Sequence, residues 1–92
     1  IVSVKDKRLL ELAAGRVPKR FPASLAMAAE RRFGSLIVAR TIEDLREPPG
    51  NRLEALKGDR VGQHSIRVND PWRICFRWEP DGAHDVELVD YH

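Results

Sequence analysis

Apolar positions recur at three- and four-residue steps in the first half of this chain and at two-residue steps in the second. The first spacing marks one face of a helix and the second one face of a strand. Ile1–Val4 reads as a short strand. Asp6 follows, a residue able to cap a helix because its carboxylate accepts from the free N–H groups of the first turn. Leu9, Leu10, Leu12 and Ala13 give that helix an apolar side, and Gly15 suits its end. Pro18 and Pro22 interrupt helical hydrogen bonding, so residues 16–22 are a connector. Pro22 also suits the start of a second helix, whose apolar stripe is Leu25, Ala29, Phe33, Leu36 and Ile37. Arg31, Arg32 and Arg40 are expected to point outward. Gly34 within this helix suggests a bend or close packing. Residues 41–45 can add one turn, and the consecutive prolines Pro48 and Pro49 are expected to end all helix.

From there the pattern alternates. Leu53–Leu56 is a short strand, and residues 57–60 form a turn in which Gly58 is free to take a positive φ. In His64–Val68, Ile66 and Val68 share one face, with Ser65 and Arg67 on the other. Asn69, Asp70 and Pro71 make a turn. In the strand Trp72–Trp78 the even positions are Trp72, Ile74, Phe76 and Trp78, and the odd ones Arg73, Cys75 and Arg77. Pro80, Asp81 and Gly82 turn again, and Val86–Tyr91 is the last strand. The apolar face (Ile66, Val68, Trp72, Ile74, Phe76, Trp78, Val86, Leu88) should lie under the helices. The opposite face gathers Arg67, Arg73, Arg77, Glu87 and Tyr91. The fold class is α+β: an N-terminal strand and two main helices on one face of a small, mainly antiparallel sheet.

Ninety-two residues hold one domain, residues 1–92, and exclude doubly wound dinucleotide folds and (β/α)8 barrels. Apolar runs are far shorter than the roughly twenty residues of a membrane span. The opening residues carry no apolar stretch of the secretory kind. One cysteine permits no internal disulfide and no Cys-rich zinc site. A cytoplasmic location and no membrane partner are therefore expected. The formal net charge is only +2, yet residues 79–92 carry Glu79, Asp81, Asp85, Glu87 and Asp90 and no Lys or Arg. The body of the chain is thus basic and its last strand acidic. A basic body suits a polyanion without specifying one.

The segment NRLEALKGDRVGQHSIRVNDPWRICFRW, followed by VELVDYH, resembles the HigB toxins of bacterial type II toxin–antitoxin modules, within the RelE/ParE superfamily. The close match covers about residues 48–92. The helical half agrees in layout more than in residues. The resemblance implies a RelE-like fold and a ribosome-dependent endoribonuclease, an mRNA interferase, that cuts mRNA in the A site of the 30S subunit and so arrests translation and growth. It implies a HigA-like helix-turn-helix antitoxin as partner, and operator DNA bound only through the toxin–antitoxin complex. No cofactor is implied. A contrasting reading is a non-catalytic toxin of the ParE kind that binds DNA gyrase; the terminal DYH, Lys57 and Arg73 count against it.

Metal-free RNA cleavage uses the ribose 2′-hydroxyl as nucleophile on the adjacent phosphate. It needs a base, cationic or donor groups at the phosphorus, and an acid for the departing 5′ oxygen. The product is a 2′,3′-cyclic phosphate, or a 3′-phosphate after hydrolysis. A terminal His92 would ordinarily fray; the DYH resemblance makes His92, Tyr91 and Asp90 catalytic candidates. Arg73, in the WRI motif, offers a planar fork of donors to a phosphate. Lys57, otherwise an ordinary turn lysine, joins the catalytic set through the LKGDR resemblance. Arg67, Arg77 and Glu54 are candidate RNA contacts. Glu54 stands where some HigB relatives have His, and its carboxylate can serve as base while repelling RNA. Pro71 stands where such relatives often have Gln and only stiffens a turn. His64 alternates with core residues and reads as a satisfied core or rim histidine. His84 reads as exposed, and Cys75 as a buried, inert thiol. His84, Asp90 and His92 lack metal-ligand spacing, and no metal site is expected.

Overall fold

The computed structural model describes residues 1–91. Helix α1 is Lys7–Ala13 and helix α2 is Ala23–Val38. Four strands follow: β1 Glu54–Ala55, β2 Gln63–Arg67, β3 Trp72–Glu79 and β4 Gly82–Asp90. They form one antiparallel sheet in the order β1-β2-β3-β4. Both helices bury an apolar side on one face of it. Leu9, Leu12, Leu25, Ala29, Phe33 and Leu36 meet Ile66, Ile74, Phe76, Val86 and Leu88 in a single core. Trp72 and Trp78 pack against that core only partly buried.

Asp6 caps α1 as the sequence predicts, its Oδ1 accepting from the Arg8 N–H at 3.1 Å. Its Oδ2 accepts the Leu88 N–H at 3.1 Å, so one carboxylate ties helix to strand. Burial raises the proton affinity of Asp6. The hydrogen bonds from the Arg8 side chain and from Leu88 and Arg8 N–H outweigh this and hold it below the ordinary carboxylate range.

Several expectations are corrected. Residues 1–4 make only one isolated parallel bridge, Val4 with Val86. Their backbone nonetheless covers the β4 edge, with Val2 and Lys5 N–H donating to Ala83 and Val86 carbonyls. Ile37 lies outside the core, exposed at the end of α2. Arg32 does not point outward: its Nε donates to the Arg67 carbonyl at 3.0 Å. A Cβ at Gly34 would meet nothing within 4 Å, so close packing does not require glycine there. The Pro48–Pro49 segment does not end all helix, because Pro49–Asn51 forms a short 3-10 helix. The strand at 53–56 shrinks to two residues.

Alternation also breaks once, in β4. Cys75 pairs with Glu87 and Arg77 with His84, so two residues of β4 (Asp85, Val86) oppose one of β3. This bulge, with Asp85 at φ 53°, brings Ala83 into the core alongside Val86 and Leu88 despite its odd number. The Asp85 N–H is received by the Ser3 hydroxyl at 2.9 Å.

Candidate active site

The polar face of the sheet carries a cleft of about 280 Å3 at the β2–β3 turn, lined by Glu54, Arg67, Asn69, Asp70, Pro71, Arg73 and Tyr91. Four strand or tail positions, Glu54, Arg67, Arg73 and Tyr91, and the turn Asn69–Asp70–Pro71 build it. Arg67 and Arg73 are direct partners across β2 and β3. Like charges so placed repel each other, a cost that an anion between them would remove. Tyr91 is held at the cleft by its N–H, which donates to the Pro71 carbonyl at 3.0 Å. Glu54 enters from β1, its Oε2 3.9 Å from Arg73 Nη2.

Arg73 is fixed by neutral acceptors. Its Nε donates to the Ser65 hydroxyl at 2.7 Å and its Nη2 to the Arg52 carbonyl at 2.6 Å. Ser65 is fully buried. Arg52 adopts the left-handed conformation (φ 44°, ψ 57°) at the end of the 3-10 helix. The preceding residue, buried Asn51, pins that loop by donating to the Leu45 and Glu47 carbonyls at 3.1 Å each. The chain of causes therefore runs from Asn51 through Arg52 to the guanidinium. Nη1 of Arg73 has no partner among the described residues. Arg67 donates from Nε to Asp70 Oδ1 at 3.2 Å. That bond, with the further charges of Arg52 and Arg73, holds the Asp70 carboxyl below its ordinary range.

The Tyr91 hydroxyl lies 3.4 Å from Cys75 Sγ, in hydrogen-bond contact. Burial, with this contact, pushes the phenol up to about 12. Burial likewise raises the Cys75 thiol. Both groups are protonated at neutral pH, so Tyr91 can donate a proton or hydrogen bond but cannot act there as a base.

The structure thus brings Glu54, Arg67, Arg73 and Tyr91 together. Lys57 is exposed at the tip of the adjoining turn and is not in the cleft wall. Arg77 lies at the other end of the face, with Glu79 at 3.4 Å and Asp85 at 3.5 Å. Asp90 pairs with Trp72, which puts it on the edge of the helix-covered face. His92 lies outside the described residues. The sequence reading missed Ser65 and the Arg52 carbonyl, because neither carries charge. Only the polar parity of Ser65 beside Arg67 hinted at it.

His64 stacks on Phe76, with centroids 6.3 Å apart, but its Nδ1 is buried without a hydrogen-bond partner among the described residues, so it is a rim histidine and not a satisfied one. His84 is largely covered, not exposed; its Nε2 is 2.6 Å from Asp81 Oδ1. Glu87 does not pair with Arg73 but with Arg60 and Lys5, at 3.2 and 3.3 Å. A larger depression of about 390 Å3 is lined by Lys5, Asp6, Lys7, Arg8, Glu87 and Leu88, and in it Lys5 is paired with Glu87 and Arg8 with Asp6. Among the described residues, no cluster of His, Cys, Asp or Glu could hold a metal ion. No helix there is long and apolar enough to cross a membrane.

Two helices against one face of a four-stranded antiparallel sheet is the arrangement of a RelE-like toxin. Residues 4–92 match the family model described as the RelE-like toxin of the type II toxin–antitoxin system HigB, and the chain belongs to this HigB-like family. It is 46% identical over 71 residues to Toxin HigB-1 of Vibrio cholerae, covering 77% of this chain and 74% of that one. It is 34% identical over 92 residues to Endoribonuclease HigB of Proteus vulgaris, covering 100% and 99%. Membership in a toxin–antitoxin family supports an antitoxin as partner.

Proposed function

We propose that this protein is a metal-independent, ribosome-dependent endoribonuclease that cleaves mRNA in the A site. The opposed pair Arg67 and Arg73 carries the reading: two arginines facing each other across β2 and β3 and lining one cleft suit the phosphate of a bent RNA strand. Arg73 stabilises the charge growing on the phosphorane oxygens through its guanidinium. Glu54, exposed at the cleft edge, takes the 2′-hydroxyl proton. Tyr91, protonated at neutral pH, donates to a phosphate oxygen or to the leaving 5′ oxygen. His92, Asp90 and Lys57 complete the set carried over from the family resemblance, with His92 as the second proton-transfer group.

The cleft holds few cations, so free RNA is a poor substrate. The ribosome supplies the alignment, which in well-oriented reactions is worth about 7–11 kcal/mol. Growth arrest follows from loss of translated message. A HigA-like helix-turn-helix protein is the proposed antitoxin, and the complex is the form that meets operator DNA. Primer extension on mRNA incubated with the protein, with and without programmed ribosomes, tests this. Cleavage confined to the ribosome-bound message supports it. Intact message in both, or equal cleavage in both, overturns it.

A further inference from the structure

Arg60 reaches across the polar face of the sheet. It ends the short turn that follows Lys57, where its N–H donates to the Lys57 carbonyl at 3.2 Å. Its Nη1 donates to Gln63 Oε1 at 3.0 Å and its Nη2 to Glu87 Oε1 at 3.2 Å. Glu87 stands on β4, two strands away from Gln63, and directly opposite Cys75 on β3. The guanidinium therefore lies beside the buried thiol on which the Tyr91 hydroxyl rests, and its charge acts on both groups. Partly exposed ion pairs add little stability, in the range of about 0–1 kcal/mol. A strut of this reach is better accounted for by what it holds in place.

We propose that Arg60 is a positioning residue: its bridge to Glu87 holds the Lys57 turn against the sheet and closes one side of the Tyr91–Cys75 contact. The phenol hydroxyl then keeps a fixed place at the edge of the cleft. The proposal rests on the nuclease reading for its effect on rate, but its geometric part has a separate readout. The chain has one cysteine, so thiol modification reports on this contact alone.

The experiment compares wild type, Arg60→Gln, Arg60→Lys and Glu87→Gln in two assays on the full chain. One is the rate of Cys75 modification by Ellman's reagent; the other is kcat and KM for cleavage on programmed ribosomes. Arg60→Gln and Glu87→Gln are expected to raise the modification rate about tenfold or more as the thiol loses its cover. They should lower kcat about tenfold with KM within about threefold, the sign of lost alignment and not lost binding. Arg60→Lys, which keeps the charge to Glu87, should return both values to within about threefold of wild type. Unchanged thiol protection in both neutral variants overturns the proposal, as does a loss confined to KM. If the wild type leaves message intact, the nuclease reading fails and thiol protection alone decides the role of Arg60. Should Arg60→Gln not fold, Glu87→Gln gives the same decision.

Discussion

Arg73 and Arg77 leave the same strand on the same face of the sheet, and the protein treats them in opposite ways. Arg77 is 41% exposed and shares its charge between two carboxylates, Glu79 and Asp85. Arg73 is 12% exposed and held by a hydroxyl and a carbonyl, with one carboxylate 3.9 Å away. A cation steadied by neutral acceptors keeps its field for an incoming anion. A cation shared between two carboxylates has less of it left to give. The two arginines share a face, and what separates them is burial together with the kind of partner each has.

Four measurements break or sharpen this contrast, with the largest and the smallest expected effects setting its ends. Arg73→Ala removes a preorganised donor from the phosphate and should lower the ribosome-dependent cleavage rate about 100–1,000-fold, read by primer extension. Arg77→Ala, at the last end of this series, should leave that rate within about twofold and stability within about 0.5 kcal/mol in urea melts. Between them lies Tyr91. An absorbance titration of this single tyrosine should have its midpoint near 12, about two pH units above a free phenol. The folded state thus favours the protonated phenol, so its contribution to stability is complete below pH about 10 and is lost as pH rises through 12. Ser65→Ala comes next. It deprives Arg73 Nε of its acceptor without touching the charge, and should cost about tenfold in cleavage with folding retained. If Ser65→Ala and Arg77→Ala prove equally silent, the distinction between the two arginines is without functional meaning.

Much of the fold was legible because period two and period three-to-four are direct consequences of strand and helix geometry. Ile66, Val68, Ile74, Phe76, Val86 and Leu88 all lie where alternation predicts. Alternation failed at Ala83 and the Asp85 bulge, since an inserted residue leaves no mark in hydrophobicity. In the site, parity placed Arg67, Arg73 and Tyr91 on one face, and family resemblance added Glu54. Parity could not tell that Arg77 would be claimed by Glu79 and Asp85. Nor could it find Ser65, the Arg52 carbonyl or Arg60, whose roles arise from a buried neutral group, a left-handed backbone and a turn that reaches over two strands.

The extra residue at Asp85 also divides β4 into two reading phases. Deleting that one residue would bring Gly82–His84 and Val86–Asp90 into a single phase, with one residue of β4 opposite each residue of β3. Ala83, Val86 and Leu88 would then alternate inward without interruption, and the cost would fall on the kink itself and on the Ser3 hydroxyl, which would lose the N–H it receives.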